Sequence, residues 1–175
     1  MKKIVIPRNI RQFFRLRAGE ELLLSGHILT ARDQAHKRLV SVIRQNKKLP
    51  FALRNQVIYY CGPTGTPRGK VIGSCGPTTA SRMDNFTEPL LRQGLAGMIG
   101  KGRRSQKVRQ AIKKYKSIYF IAPAGCGALL AQKVLSKKLV AFANLGPEAI
   151  YSLEVKDFPL IVAIDSRGRS IYSDL

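Results

Sequence analysis

Apolar residues along the chain group into short β-rich runs and into longer stretches with the spacing of amphipathic helices. The short runs predict strands at residues 21–25, 27–30, 56–61, 70–73, 117–121, 139–142 and 160–164. The longer stretches predict helices at residues 31–45, 79–93, 105–114 and 127–135. Because no linker, repeat or low-complexity segment separates these elements, the pattern predicts a single layered α/β domain over residues 1–175.

The composition is that of a chain that folds without a membrane. Apolar residues make up 45% and charged residues 23% of the 175, so burial can offset the loss of chain entropy. No apolar run approaches the length needed to cross a bilayer, and the apolar stretch near the N-terminus is too short for an export signal. We therefore expect a cytoplasmic protein.

The net charge changes the range of expected partners. The chain has 31 Lys and Arg against 10 Asp and Glu, a formal net charge of +21, which favours nucleic acids, anionic substrates or an acidic subunit. The densest basic stretch, residues 101–116, offers only Tyr115 as a platform on which a base could stack. A solvated helix face is at least as consistent with this stretch, so a basic nucleic-acid-binding protein stays as the alternative from a different class.

Cysteine and histidine spacing argues against a metal site on this chain. Cys61, Cys75 and Cys126 are widely separated and lack the closely spaced pair typical of zinc sites, redox dithiols and iron–sulfur clusters. His27 and His36 do not lie one helical turn from another ligand-type residue in an HExxH-like frame. We expect no metal ligands here, and a reducing compartment.

Polar, glycine-rich junctions stand where predicted strands end, and two of them carry a prominent cation. In residues 25–38, Arg32 lies in the opening turn of a helix, where it either pairs with Asp33 or binds an anion. In residues 96–102, glycines on both sides of Lys101 would let its ammonium group approach a ligand closely, or leave it simply solvated.

A further junction combines hydroxyl groups with a cation. Thr78 or Thr79 can cap the helix that follows, and Arg82 at the same end favours a bound carboxylate. The alternative is a plain helix cap, with Arg82 paired to Asp84 or Glu88. Both interpretations remain open from the residues alone.

The junctions, taken together and in order, resemble a known family. The resemblance is carried by residues 30–38, 60–63, 76–84, 98–102, 125–130, 145–149 and 157–159. It extends from about Arg17 to Tyr172. The chain resembles the β-subunit, or the equivalent C-terminal domain, of iron–sulfur class I fumarate hydratases and L(+)-tartrate dehydratases.

This resemblance implies a swivelling β/β/α fold and a hydro-lyase that is active only as a hetero-oligomer with a cluster-bearing α-subunit. The [4Fe-4S] cluster would be held by that partner, where iron acts as a Lewis acid on the substrate hydroxyl. In this chain Arg32, Arg82 and Lys101 would bind the carboxylates of a dicarboxylate substrate, and Thr78 would stand at the proton-transfer position. Malate and fumarate are the expected pair, with L-tartrate dehydration as the alternative.

Overall fold

The structure is a computed structural model that describes residues 1–172. Its strands are β1 (Lys2–Val5), β2 (Glu21–Thr30), β3 (Val57–Tyr59), β4 (Gly97–Gly100), β5 (Ile118–Ile121), β6 (Val134–Ala141) and β7 (Ile150–Ile164). Its α-helices are α1 (Asp33–Arg44), α2 (Asp84–Arg92), α3 (Gln106–Tyr115) and α4 (Gly127–Ala131). Short 3₁₀ helices cover Ile10–Arg15, Ala80–Met83 and Ala143–Glu148. Within residues 1–172 no helix combines the length and the apolar character needed to cross a membrane.

The strands form one sheet whose pairings close on themselves. β2, β3, β4 and β5 are parallel neighbours in that order. β7 runs antiparallel to β5 and also antiparallel to β2, so the circuit from β2 through β5 returns to β2. β1 continues the sheet in parallel beside β2, and β6 pairs antiparallel with β7.

Two apolar cores lie on opposite faces of the parallel strands. Val57 and Tyr59 belong to one core and Ile58 to the other, as the alternation of side chains along a strand requires. The second core also contains apolar side chains from three helices, namely Leu39 of α1, Leu90 of α2 and Ile112 of α3. The first core contains Leu130 of the short helix α4, so helices pack on both faces of the sheet, and the mixed α/β class is confirmed.

Several predicted elements are confirmed with shifted ends. The helices at 31–45 and 105–114 correspond to α1 and α3, and the strand at 117–121 corresponds to β5. The two runs at 21–25 and 27–30 are one strand, β2, whose register with β7 shifts at Gly26. Gly26 packs directly against the carbonyl of Ile6, which leaves no room for a side chain there.

Other predictions are wrong. Residues 70–73 form no strand, because the loop pairs with itself: the Thr64 N–H donates to the Ser74 carbonyl over 3.0 Å, and Gly73 packs on the Thr64 backbone. The helix predicted at 127–135 ends at Ala131, and the chain enters β6 at Val134. By contrast, the strands predicted at 139–142 and 160–164 are confirmed, as parts of the longer strand β6, which ends at Ala141, and of β7.

The glycine-rich segment around residue 100 is a strand rather than a loop. β4 lies between β3 and β5, and its four residues are all buried. A Cβ atom at Gly100 would lie 2.8 Å from a ring carbon of Tyr60 and 3.1 Å from the Cβ of Ala80. The glycine therefore provides space for close packing, and Lys101 follows directly at the end of the strand.

Candidate active site

The carboxyl ends of β2, β3 and β4 meet at one edge of the sheet. Two of the predicted site residues, Arg32 and Lys101, lie at this edge. Arg32 follows β2, Gly62 follows β3 and Lys101 follows β4. Clefts at the carboxyl ends of parallel strands are where open α/β sheets commonly bind ligands. The fold therefore brings together junctions that are distant in the sequence.

Thr78 reaches this edge through backbone hydrogen bonds. Its N–H donates to the Tyr60 carbonyl over 2.7 Å, and its own carbonyl accepts the Lys101 N–H over 3.2 Å. The Ala80 N–H in turn donates to the Lys101 carbonyl over 2.9 Å. Thr78 thus runs alongside the end of β4, next to Lys101.

The expected helix cap at this junction is wrong. Thr79, not Thr78, precedes the 3₁₀ helix Ala80–Met83, and its side chain makes no capping hydrogen bond. Helix α2 begins after Met83, again with no side-chain cap. Thr78 is half-buried, and its hydroxyl makes no hydrogen bond to the part of the chain that the structure describes. The hydroxyl is therefore not committed to holding a helix start.

Arg82 is held by a carboxylate on another element. Its Nε and Nη2 donate to the two carboxylate oxygens of Asp33 over 3.1 and 2.8 Å. The local partners Asp84 and Glu88 that the sequence suggested are wrong, because Asp84 pairs with Arg104 and Glu88 lies 3.9 Å from an Arg92 nitrogen. The Asp33 pair brings Arg82 to the start of α1, beside Arg32.

Arg32 lies between two carboxylates without a hydrogen bond to either. Its Nε is 4.0 Å from Oδ2 of Asp33, and its Nη2 is 3.7 Å from Oε1 of Glu148. The Nε is buried and has no hydrogen-bond partner among residues 1–172. A Cβ at Gly62 would lie 2.7 Å from Nη1 of Arg32, so the guanidinium packs on bare backbone. Of the two sequence alternatives, the pair with Asp33 is present only as a long contact of 4.0 Å, and the binding of an anion by Arg32 stays a prediction.

Lys101 is exposed at the same edge. Within the described residues no carboxylate lies within ion-pair distance of its ammonium group. The backbone on both sides of it is fixed through Thr78 and Ala80. Its side chain is therefore a solvated cation on an anchored backbone.

His36 fixes the first turn of α1 and was missed as a structural residue. Its ring Nδ1 donates to the Arg32 carbonyl over 2.8 Å, and its backbone N–H donates to the same oxygen over 2.9 Å. Burial lowers the pKa of His36 to about 4, although the hydrogen bond to Arg32 acts in the opposite direction. The neutral ring therefore ties down the backbone from which the Arg32 side chain projects.

Arg104 corrects the interpretation of residues 101–116 as a uniformly solvated basic face. Its side chain is 0% exposed, and it donates to Asp84 and to Thr87, each over 2.6 Å. A third hydrogen bond, of 3.2 Å, reaches the Tyr60 hydroxyl. This buried arginine joins α2 to the loop after β4, and the loss of either partner would leave an uncompensated buried charge near Lys101.

Metal-ligating side chains do not cluster in the described residues. No group of three or more His, Cys, Asp or Glu side chains there could hold a metal ion. Cys61 and Cys75 are buried and Cys126 is half-buried, and all three are free thiols. A hydrogen bond to Cys75, together with burial, raises the pKa of the Cys61 thiol, which keeps it protonated. This donor set does not fit an iron–sulfur cluster on residues 1–172.

Fold and side chains together define a mixed α/β domain with a cationic site at the carboxyl edge of its parallel strands. A family model described as Fumarase C-terminus matches residues 2–175. The chain therefore belongs to this family.

Individual relatives agree with this assignment. A Methanocaldococcus jannaschii protein provisionally named L(+)-tartrate dehydratase subunit beta is 40% identical over 167 residues, which cover 92% of this chain and 86% of the relative. The L(+)-tartrate dehydratase subunit beta of Escherichia coli strain K12 is 33% identical over 180 residues, covering 99% and 88%. The aerobic class I fumarate hydratase of the same strain is 40% identical over 156 residues, but these cover 88% of this chain and only 28% of the relative.

Proposed function

We propose that this chain is the non-cluster subunit of an iron–sulfur hydro-lyase that interconverts malate and fumarate. The observation that carries the proposal is the convergence of Arg32, Arg82 and Lys101, together with the Thr78 hydroxyl, at the carboxyl edge of the parallel strands. Three cations and an uncommitted hydroxyl along one edge would suit a substrate with two carboxylates and a proton to be moved. Membership of the family supports this assignment.

In this proposal the two arginines and the lysine bind the substrate. A guanidinium matches the two oxygens of a carboxylate, which suits Arg32 and Arg82, while Lys101 contributes a compact charge. The long distances from Arg32 to its carboxylate neighbours leave its donors available to a ligand. Arg82 would exchange Asp33 for a substrate carboxylate, or bind it at the guanidinium edge that Asp33 leaves exposed.

Thr78 would stand at the position of proton transfer. A threonine alkoxide is too basic to persist free near neutral pH, so the hydroxyl needs nearby positive charge or a relay to a carboxylate of the partner. The backbone contact between Thr78 and Lys101 supports the first of these routes.

The cluster itself would belong to the partner α-subunit. The three free cysteines of this chain do not come together as a ligand set in residues 1–172, and no step described above is routed through the cluster. When present, iron would act as a Lewis acid on the substrate hydroxyl. The subunit names of two relatives support a hetero-oligomer, in which this chain closes over the partner.

L-tartrate is the second candidate substrate, and one observation favours it. The chain covers 86% and 88% of the two tartrate dehydratase β-subunits but 28% of the fumarate hydratase. The match therefore extends over most of the length of the tartrate dehydratase β-subunits. Tartrate and malate each present two carboxylates, so the same cations would serve either substrate.

The proposal extends to architecture and location. Two cores on opposite faces of the parallel strands support a layered β/β/α domain of the swivelling type, formed by residues 1–175 as one unit. Such a unit would move as a rigid body when it closes over the partner. Three free cysteines, two of them buried, support a reducing cytoplasm.

Reconstitution with a cluster-bearing chain tests the proposal. The two chains are co-expressed, purified anaerobically and assayed separately with fumarate, L-malate and L-tartrate. Turnover of the malate–fumarate pair supports the first candidate, and turnover of tartrate alone supports the second. Salt-sensitive binding of RNA or DNA by this chain, with no hydro-lyase activity in the complex, would instead support the nucleic-acid-binding alternative.

A further inference from the structure

Glu148 contacts the opening turn of α1 from a distant part of the chain. It is the last residue of the 3₁₀ helix Ala143–Glu148, which directly precedes β7. Its Oε2 accepts the backbone N–H of Gln34 over 2.9 Å. The first N–H groups of a helix have no partner within the helix and carry partial positive charge, so a carboxylate there is favourable. This contact fixes the Glu148 carboxylate at the start of α1.

The other oxygen of the same carboxylate faces Arg32. Oε1 of Glu148 lies 3.7 Å from Nη2 of Arg32, close enough for attraction but too far for a hydrogen bond. Asp33, the other acid near Arg32, is occupied by two hydrogen bonds from Arg82. Glu148 is therefore the carboxylate that balances the Arg32 charge.

Backbone atoms confine the Arg32 guanidinium on its other side. A Cβ at Gly62 would come within 2.7 Å of Nη1 and 2.8 Å of Cδ of Arg32, and within 3.4 Å of the Pro147 carbonyl. Gly62 thus has no room for a side chain while Arg32 is in place. The guanidinium lies between the Gly62 backbone and the segment that ends in Glu148.

We propose that Glu148 is a positioning residue that holds Arg32 in the orientation required to bind a substrate carboxylate. The substrate part of this inference rests on the proposed function. Attraction across 3.7 Å restricts the guanidinium without using its hydrogen-bond donors, because no hydrogen bond forms between them. Arg32 is thereby pre-organised, so less conformational entropy is lost when a carboxylate binds.

The first test needs no activity. Arg32 is 26% exposed in its present position, so an arginine-selective dicarbonyl such as phenylglyoxal should modify it slowly. In Glu148→Gln the amide oxygen can still accept the Gln34 N–H, but the charge facing Arg32 is gone. We expect Arg32 modification, measured by peptide mass spectrometry on the full chain, to accelerate several-fold, with only a small fall in melting temperature from the charge lost at the start of α1.

Glu154→Gln is the matched control. Glu154 is half-buried on β7 and accepts a hydrogen bond from the Ser136 hydroxyl over 3.0 Å, with no contact to Arg32. Its substitution should leave Arg32 modification at the wild-type rate. Equal Arg32 modification in wild type and Glu148→Gln would overturn the positioning role, whatever the enzyme activity.

The second test uses the assembled complex and a double-mutant cycle. Glu148→Gln should raise KM for the dicarboxylate about tenfold with a smaller change in kcat, as expected when one charge contact no longer holds a binding group. In an Arg32→Ala background the same substitution should change KM no further, because the residue through which it acts is absent. A further rise of similar size in that background would overturn the inference. Absence of hydro-lyase activity in the wild-type complex would count against the proposed function alone, since the modification test still decides the role of Glu148.

Discussion

At the scale of single residues, the pairing of Arg82 with Asp33 joins two junctions that lie about fifty residues apart in the sequence. Arg82 keeps half of its side-chain surface exposed, so solvent screens the pair and its contribution to folding stability is small. The two hydrogen bonds set the plane of the guanidinium instead. We therefore expect the Arg82–Asp33 pair to contribute to ligand binding rather than to folding stability.

Arg82→Lys tests this expectation. An ammonium group cannot reproduce a two-point carboxylate contact, so we expect kcat/KM to fall by about 10- to 100-fold, which corresponds to one charge-assisted hydrogen-bond contact. Steady-state kinetics of the reconstituted complex measures the change. Arg92→Lys is the control, because Arg92 pairs with Glu88 within α2, and its activity should remain near wild type. Wild-type kcat/KM in Arg82→Lys would remove Arg82 from the substrate site.

Thr78→Ala separates chemistry from structure at a second residue. Since the hydroxyl makes no hydrogen bond within the described residues, its removal should leave the melting temperature almost unchanged. If the hydroxyl carries a proton, turnover should fall by about two to four orders of magnitude. The paired measurements are anaerobic steady-state kinetics and a thermal melt of the same sample.

Thr79→Ala is the matched control for that experiment. Thr79 is exposed, adjacent in sequence and makes no side-chain capping bond, so both turnover and melting temperature should stay at wild-type values. Near-normal turnover in Thr78→Ala would assign proton transfer wholly to the partner subunit.

At the scale of elements, the sequence predicted best those segments whose own pattern of apolar residues determines their structure. Helices α1 and α3 carry their apolar stripe in the sequence, and β5 is a continuous apolar run. β4 was hidden because Gly97 and Gly100 are selected by close packing against other segments, and such contacts leave no periodic signal. Residues 70–73 look like a strand but have no neighbouring strand with which to pair.

The sequence likewise predicted the residues of the candidate site but not the contacts between them. Arg32, Thr78, Arg82 and Lys101 were named from the junctions and from the family resemblance. The pairing of Arg82 with Asp33, and the approach of Glu148 to Arg32, depend on tertiary contacts between residues far apart in sequence. No local rule could have predicted those partners.

The buried imidazole at the start of α1 makes the stability of this element sensitive to acid. The folded-state pKa of His36 is about 4 against 6.5 for the free side chain, so the unfolded chain binds the proton more readily. Arg104 also opposes the charged form, while Asp33 favours it. The contribution of the neutral His36 ring to the free energy of unfolding is fully present above pH 6.5. It is lost as the pH falls from 6.5 towards 4, by about 3 kcal/mol at most.

Urea unfolding between pH 7.5 and 4.5 measures this loss. His36→Asn should flatten the dependence on pH, because the group that titrates has been removed, although overall stability falls. His27→Asn is the control, since His27 is exposed on β2 and its replacement should preserve the wild-type dependence. An unchanged slope in His36→Asn would assign the acid sensitivity to other groups.

At the scale of the whole molecule, two features bear on the proposed partner subunit. The net charge of this chain is +21, and the described residues contain no cluster of metal-ligating side chains. A strongly basic chain associates most readily with an acidic surface, and that association weakens as salt rises. The cationic edge that would receive the substrate adds to the same field. We therefore expect the complex to form faster at low ionic strength.

The purified chain by itself should be colourless and inactive. Because residues 1–172 bring together no ligand set for a cluster, anaerobic incubation with iron and sulfide should load much less than one cluster per chain. Iron and sulfide analysis, together with the visible absorption spectrum, provides the measurement. Stoichiometric loading of this chain alone would contradict the two-subunit account.

The closed circuit of strands also sets the order in which a nascent chain can mature. Glu21 of β2 pairs with Ile161 of β7, so one edge of the leucine-rich strand β2 stays unpaired until β7 has left the ribosome. At about 5–20 residues per second, translation leaves that edge open for roughly 7 to 26 seconds, a period in which chaperones or premature aggregation compete for it. Arg32 is synthesised well before Glu148. The surroundings of Arg32 are therefore completed only after the segment that ends in Glu148 has been synthesised, just before the returning strand closes the sheet.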